Sequence, residues 1–137
     1  MVAPPLAGVD HVHVLVRDRA AAVAWYRNVL GLAPVPEFEV WQADGGPLTL
    51  ADASGRVHIA LFERAPSADN KAVVALGVDA SGFVQWREHL THALGTAPAF
   101  VDHDLSLSLY FRDPDGNPYE ITTYDVTSAR AALPAAH

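Results

Sequence analysis

Residues 108–124 read SLYFRDPDGNPYEITTY, and this stretch decides the fold. Apolar and polar residues alternate on both sides of the turn sequence Asp113-Pro-Asp-Gly116, which is typical of two half-buried strands joined by a turn. We therefore predict one strand over Leu105–Arg112 and the next over Tyr119–Tyr124.

Side chains alternate along a strand, so each of these strands has an apolar face and a polar face. In the first strand, Leu105, Leu107, Leu109 and Phe111 are predicted to pack on a helix, and Ser106, Ser108, Tyr110 and Arg112 lie opposite. In the second strand, Tyr119 and Ile121 are predicted to be buried, while Glu120, Thr122 and Tyr124 share the polar face. The polar face thus carries a carboxylate, hydroxyls and a guanidinium.

The same succession of elements occurs twice along the chain. In each half a strand leads through an Asp to a helix that ends at a Gly, and three further strands follow. The first half is predicted as strand Val9–Val16, a helix from Asp18 to about Leu30, and strands Phe38–Trp41, Leu48–Ala51 and Val57–Glu63. The second half is predicted as strand Lys71–Val78, a helix from about Ser81 to Gly95, and strands Ala99–Asp102, Leu105–Arg112 and Tyr119–Tyr124.

This repeat predicts an α+β fold of two strand–helix–strand–strand–strand (βαβββ) modules. Each module would form a curved sheet with its helix on the convex side, and two modules side by side would enclose a cup as one cupped mixed sheet. The domain is expected over residues 1–126, with module one at about 6–65 and module two at about 70–125, followed by a tail at 127–137. A ferredoxin-like sandwich is the alternative, but it has four strands and places its helices differently.

Composition limits the function classes. The 137 residues suffice for one domain, and 9 basic against 16 acidic residues give a net charge of −7, which argues against nucleic acid as the main partner. Cysteine is absent, which excludes disulfides and thiolate chemistry and is weak support for a reducing compartment. No apolar run approaches the roughly 18 residues of a membrane span, and no basic segment opens a signal peptide. We expect a cytoplasmic protein that binds a small molecule rather than nucleic acid or a membrane.

The face opposite the valines of the first strand carries residues suited to chemistry. If those valines face the helix, His11 and His13 point into the cup, and by the same alternation His58 points there from the fourth strand. Imidazoles that converge with the carboxylate of Glu120 on a concave surface suit a small ligand or a divalent ion. The alternative is an ordinary structural role for each histidine and a solvated sheet position for Glu120.

The chain resembles a known superfamily at both ends. The runs DHVHVLVRD at residues 10–18 and AWYRNVLGL at residues 24–32 resemble the first module of the vicinal oxygen chelate superfamily, and residues 108–124 resemble the end of its second module. This group includes glyoxalase I, extradiol dioxygenases, methylmalonyl-CoA epimerases, and fosfomycin and bleomycin resistance proteins. The similarity extends over about residues 6–125 and implies the two-module fold.

The resemblance implies a metal site. In the superfamily a His on the first strand and a Glu four residues after the Gly of the Asp-Pro-Asp-Gly turn are ligands, and they match His11 and Glu120. The usual His on the first strand of module two falls at Val73, so this chain lacks that ligand. The fourth position, on the last strand of module one, has His58 as its nearest match, at a shift of one residue from direct alignment of the two turns. The implied ligands are His11, His58 and Glu120, and the implied ion is divalent Fe, Mn, Ni or Zn.

Two further residues resemble the acid–base groups of the extradiol dioxygenases. Tyr110 lies ten residues before Glu120, as a Tyr does in those enzymes, and His103 lies somewhat earlier. The resemblance implies that His103 and Tyr110 assist proton transfer and orient the substrate. The alternative is a loop histidine and a tyrosine that is hydrogen-bonded within the sheet.

Two functions from different classes remain open. The first is a metal-dependent enzyme of glyoxalase or extradiol-dioxygenase type, whose ion chelates two oxygens of a small substrate and acts as a Lewis acid. The second is a metal-free binding protein of the bleomycin-resistance type, which sequesters a ligand between two protomers. Val73 favours the second function, and the pairing of His11 with Glu120 favours the first. In either case the resemblance implies a homodimer.

Overall fold

The chain forms two compact units. A computed structural model describes residues 2–66 and 69–134, and its contacts divide the chain into Met1–Ala65 and Pro66–His137. Each unit has one four-stranded mixed sheet with helices, so the predicted α+β class is confirmed. The last three residues of the predicted tail, 135–137, lie outside the described residues.

The N-terminal unit has the predicted number of strands in one sheet. In chain order it contains β1 (Val12–Val16), α1 (Arg19–Trp25), a π-helical turn (Tyr26–Leu30), β2 (Ala33–Pro34), a 3-10 segment (Pro36–Gly45), β3 (Leu48–Ala51) and β4 (His58–Glu63). The strand order is β1-β4-β3-β2, in which β1 runs parallel to β4 and the other neighbours are antiparallel. The two ends of the unit's sequence are therefore paired with each other.

The C-terminal unit repeats this topology. It contains β5 (Val74–Gly77), α2 (Ala80–Leu94), β6 (Ala99–Asp102), β7 (Leu107–Arg112), β8 (Pro118–Thr123) and α3 (Val126–Ala132). The strand order is β5-β8-β7-β6, again with one parallel pair, β5 and β8, and antiparallel neighbours elsewhere. The repeat that the sequence predicts is thus present in the strand pairing.

Both predicted helical segments lie between the Asp and the Gly that the repeat predicts, although α1 ends at Trp25 and the π-helical turn continues it to Leu30. The carboxylates of Asp18 and Asp79 accept hydrogen bonds from backbone N–H groups in the first turns of α1 and α2, at 3.1 and 2.7 Å. Gly31 and Gly95 follow the helical segments with φ of 69° and 75°, a left-handed conformation that glycine adopts without steric cost.

One apolar face of each sheet forms the core of its unit. In the N-terminal unit Val14 lies opposite Leu61 in the register of β1 and β4, and both are buried. In the C-terminal unit the largest fully buried side chains are Phe83, Leu90, Leu107, Leu109, Tyr119 and Ile121. Burial of each such side chain stabilises the fold by about 1.5–3 kcal/mol. Within the described ranges no helix is long and apolar enough to cross a membrane.

The predicted strand Phe38–Trp41 is wrong. These residues lie in the 3-10 segment, which Pro36 opens with its fixed φ and its missing N–H. A 3-10 helix aligns residues that are three apart, and the Phe38 and Trp41 rings stack accordingly, with centroids 4.3 Å apart and planes inclined by only 8°. The second strand of the module is instead the short β2, which pairs with β3.

Three other strands begin at least two residues later than predicted. The chain before β1 and before β7 is not paired, and Val9 and Leu105 are each 83% exposed, so Leu105 does not pack on a helix. A turn at Asp104, whose φ is 68°, interrupts the extended chain ahead of β7. Strand β5 does not include Lys71, and Ala72 is exposed rather than buried.

A bidentate ion pair fastens α3 to β6. Arg130 donates from Nε and Nη2 to the two carboxylate oxygens of Asp102, at 2.8 and 2.7 Å. These hydrogen bonds hold the pKa of Asp102 below its ordinary value. Both side chains lie at the surface, where solvent screens such pairs and limits their contribution to stability.

Removal of the Asp102 charge should lower the stability of the fold by an amount that depends on pH. Because the pKa of Asp102 is lower in the folded chain, the carboxylate stabilises the fold above the ordinary aspartate pKa of about 3.9 and loses this contribution as the pH falls through the folded value. We expect Asp102→Asn to lower the Tm at neutral pH, and the difference from wild type to shrink in acid. Thermal unfolding across this pH range measures it, with Glu88→Gln on α2 as the control. A difference in Tm that stays constant with pH would contradict this assignment.

Candidate metal centre

Three side chains at the start of β1 form a chain of hydrogen bonds. His11 Nδ1 lies 2.7 Å from Asp10 Oδ2, and His11 Nε2 lies 3.0 Å from His13 Nε2. The hydrogen bond from His11 is the main cause that lowers the pKa of Asp10 below its ordinary value. With its Nδ1 proton donated to Asp10, His11 keeps a lone pair on Nε2. Carboxylates orient metal-bound histidines in this way.

His13 is a polar residue to which the sequence prediction gives no ligand role. Its ring is inclined by 27° to that of His11 and packs against Phe62, with centroids 4.7 Å apart. The available signal is the His-x-His spacing, because residues two apart on a strand share a face. The resemblance to a known metal site selects His11 alone, since only His11 matches a ligand position.

A cavity of about 150 Å³ lies in the N-terminal unit. It brings His11 and His58 to one surface, as the alternation of side chains predicts. Its lining consists of Asp10, His11, Phe38, Trp41, Pro47, Thr49, His58 and Ala60. The ligand roles of both histidines stay predictions.

The stacked rings of Phe38 and Trp41 form one wall of this cavity, and Trp41 is 52% exposed. The backbone at Gly46 packs so closely on this segment that a Cβ there would overlap the Trp41 carbonyl oxygen. Arg19 Nη1 donates a hydrogen bond to the Gly46 carbonyl from the other side. The position of the wall therefore depends on the absence of a side chain at Gly46.

The internal register places Ala60, rather than His58, at the position equivalent to Glu120. The backbone hydrogen bond that closes the turn joins residues 52 and 57 before β4 but residues 113 and 117 before β8, so the first turn is one residue longer. Glu120 lies three residues after Asn117, which closes the second turn, and Ala60 lies three residues after Val57, which closes the first. His58 lies only one residue after Val57. His58 still faces the same side as Ala60, because they are two residues apart.

Two of the four ligand positions of the superfamily thus carry apolar side chains in this chain. Ala60 is buried in β4, and Val73, which precedes β5, is 46% exposed. Within either described unit no three His, Cys, Asp or Glu side chains form a group that could hold a metal ion. The set His11, His58 and Glu120 therefore stays a prediction.

Glu120 lies half-buried on β8 and is held by a buried hydroxyl. Ser108 Oγ donates to Glu120 Oε2 at 2.6 Å, and Ser108 is fully buried. Thr122 Oγ1, on the same face, donates to the Leu107 carbonyl at 3.1 Å. One carboxylate oxygen of Glu120 is thus fixed by the sheet, and Oε1 is the oxygen left to bind a ligand.

His103 and Tyr110 are brought together in the C-terminal unit. His103 Nε2 lies 3.0 Å from the Tyr110 hydroxyl. The turn between β6 and β7 positions His103, since its backbone N–H donates to the Ser106 carbonyl at 2.9 Å. Tyr110 lies directly opposite Glu120 in the register of β7 and β8, so these two side chains share a face of the sheet.

Comparison with known proteins identifies the family. The model described as the Glyoxalase/Bleomycin resistance protein/Dioxygenase superfamily matches residues 8–121. The chain belongs to this superfamily. Among curated proteins, none matches the chain at a significant level.

Several solved structures share the fold of this chain. An integron cassette protein from the mobile metagenome of the Halifax Harbour sewage outfall is 19% identical, with a TM-score of 0.71 over 86% of this chain and 99% of that one. Lactoylglutathione lyase from Agrobacterium tumefaciens is 24% identical, with a TM-score of 0.67 over 90% and 98%. A mutant of the fosfomycin resistance protein FosX from Listeria monocytogenes, complexed with Mn(II) and a dihydroxypropylphosphonic acid, is 13% identical, with a TM-score of 0.66 over 91% and 96%. At these identities the likeness shows the fold.

The aromatic wall of the cavity can be tested at Gly46. We expect Gly46→Ala to push the Trp41 segment away and to destabilise the chain by about 1–3 kcal/mol, the usual cost of overpacking. Tryptophan fluorescence and thermal unfolding measure the two effects. Gly77→Ala is the matched control, because a Cβ at Gly77 meets nothing within 4 Å. An unchanged emission spectrum and Tm in Gly46→Ala would show that the wall does not depend on this close approach.

Proposed function

We propose that the chain is a metal-dependent enzyme of glyoxalase or extradiol-dioxygenase type, which acts on a small oxygen-rich substrate by bidentate chelation at a divalent Fe, Mn, Ni or Zn ion. The observation that carries this proposal is the environment of the His11 ring. Its ring lines a cavity, and its Nδ1 is bonded to the carboxylate of Asp10. Metal-binding histidines usually donate a hydrogen bond from their second ring nitrogen to a carboxylate. A histidine with a purely structural role does not have to line a cavity.

The proposed ligands are His11 and His58 from the N-terminal unit and Glu120 from the C-terminal unit, of the same chain or of the partner in a proposed homodimer. Two imidazoles and a carboxylate suit the ions named above and leave coordination positions for substrate. The hydrogen bond from Ser108 fits this role, because it fixes one oxygen of Glu120 and leaves the other available. When bound, the ion would polarise the substrate oxygens as a Lewis acid.

His103 and Tyr110 are the proposed acid–base pair. A hydroxyl and an imidazole 3.0 Å apart can hold one proton between them and exchange it with a substrate atom. Tyr110 lies opposite Glu120 on the same face, which is the side on which substrate would bind to the carboxylate. We infer that His103 orients the Tyr110 hydroxyl and takes up or returns its proton.

A metal-free binding protein of the bleomycin-resistance type is the second candidate. Ala60 and Val73 favour it, because a chain that binds no metal has no need of donors at these positions. The stacked wall of Phe38 and Trp41 also favours it, since aromatic faces bind apolar and planar ligands without any metal. A cytoplasmic location is proposed for either function, with the absence of cysteine as its support.

The two candidates differ in what Glu120→Gln does. If Glu120 is a ligand, the variant should fold normally but bind a divalent metal at least about tenfold more weakly, because it loses the anionic donor. Wild type should gain Tm from the metal, by an amount that corresponds to about 2.7 kcal/mol at 100 times the Kd. Thermal unfolding and elemental analysis with Fe(II), Mn(II), Ni(II) and Zn(II) measure these effects, with Glu88→Gln as the control. If wild type gains nothing from any of these metals and Glu120→Gln is at least as stable, the metal-dependent enzyme is ruled out.

Val73→His should restore the ligand position that the chain lacks. We expect the variant to bind Zn(II) or Ni(II) more tightly than wild type, because a neutral imidazole at about 2.0–2.1 Å adds a donor to the ion. Ala72→His is the control, since it adds an exposed imidazole at the neighbouring position with the opposite side-chain direction. Calorimetric titration measures the affinities. Equal affinity in both variants would show that Val73 does not occupy a ligand position.

A further inference from the structure

We propose that His11 and His13 together form a bidentate site for a divalent transition metal, so that the N-terminal unit contributes two nitrogen donors from positions two residues apart. The proposal deepens the proposed function by adding His13 to the ligands, and it rests on that function only for the identity of the ion. The juxtaposition that carries it is the approach of the two Nε2 atoms to 3.0 Å.

The geometry of the pair fits two cis ligands on one ion. The Nε2 atoms are 3.0 Å apart while the ring centroids are 4.9 Å apart, so the rings meet through their Nε2 edges. Two nitrogens that each lie about 2.1 Å from an ion and subtend 90° are about 3.0 Å apart, whereas a tetrahedral ion at about 2.0 Å would hold them about 3.3 Å apart. The observed separation lies close to both values, so the two nitrogens are near enough to bind one ion of either geometry.

The protonation of the pair is compatible with metal binding. Asp10 accepts a hydrogen bond from Nδ1–H of His11, so the Nε2 lone pair of His11 accepts a hydrogen bond from Nε2–H of His13. A metal ion bound to the two Nε2 atoms would take the place of that proton, which would move to Nδ1 of the His13 ring. The exchange leaves both rings neutral, and neutral imidazole is the form that binds metals.

The surroundings hold the pair in place without blocking it. Phe62 packs against the ring of His13, and Asp10 fixes the ring of His11. Both histidines are exposed, which leaves the remaining coordination positions to water or substrate. The charge of Asp10 also partly compensates that of a bound dication.

Calorimetric titration with Ni(II) tests the pair in the full-length chain. We expect His13→Gln to bind Ni(II) about 10- to 100-fold more weakly than wild type. His13→Phe should be weakened equally, because it keeps the packing on Phe62 but has no nitrogen donor. His92→Gln, which removes an exposed histidine of α2, should bind as wild type does. Thermal unfolding without metal shows whether each variant folds, and the imidazole ¹⁵N resonances of wild type with Zn(II) should report a shift at Nε2 of both His11 and His13.

The outcomes separate this inference from the proposed function. If both His13 variants bind Ni(II) as wild type does, the inference is overturned, and Glu120→Gln still tests the enzyme. If the His13 variants are weakened and Glu120→Gln is not, the imidazole pair is supported and Glu120 is excluded as a ligand. If wild type binds no Ni(II), or if His92→Gln is weakened as much as the His13 variants, the pair is not the site.

Discussion

The parallel pairing of the first and last strand of each unit is the constraint on which every functional side chain depends. In β1 and β4 the buried residues Val14 and Leu61 lie opposite each other, and the residues on either side of them face the other way. A slip of one residue would expose these side chains and bury imidazoles, at a cost of about 1.5–3 kcal/mol for each apolar side chain. Burial of the apolar residues of β1 and β4 therefore determines where His13 and His58 point.

This alternation explains which parts of the fold the sequence predicts well. The helix ends at Asp18, Gly31, Asp79 and Gly95 follow from local hydrogen bonding and backbone conformation, and they are correct. The segment from Phe38 to Trp41 fails because four apolar and acidic residues fit both a strand and a 3-10 turn, and the stacking of residues three apart decides between them. Short strands such as β2 have too few residues to show any period.

The sequence predicts which face of each strand carries the candidate site residues. It does not predict which residue of β4 is equivalent to Glu120 of β8. His11 and His58 share a surface because both lie on the face opposite the core. The equivalence of Ala60 and Glu120 is not visible in the sequence, since an Asp-x-x-Gly turn precedes both strands and only the closing hydrogen bonds reveal the extra residue before β4. The contact of His103 with Tyr110 likewise depends on the turn at Asp104, whose left-handed conformation the sequence does not reveal.

The distribution of donors has a consequence for the choice of metal. Ala60 and Val73 stand where the superfamily places a carboxylate or amide and an imidazole, while His13 and His58 add nitrogen donors to the N-terminal unit. Hard cations such as Mg²⁺ and Ca²⁺ prefer oxygen ligands, whereas the side chains bonded in a row here are two imidazoles and the one carboxylate of Asp10. Imidazole nitrogens bind the later first-row metals well, and Asp10 makes His11 a better ligand by accepting a hydrogen bond from its Nδ1–H. At the proposed metal site, selectivity should therefore come from the histidines of the N-terminal unit, and the carboxylate of Asp10 would compensate part of the charge of the ion.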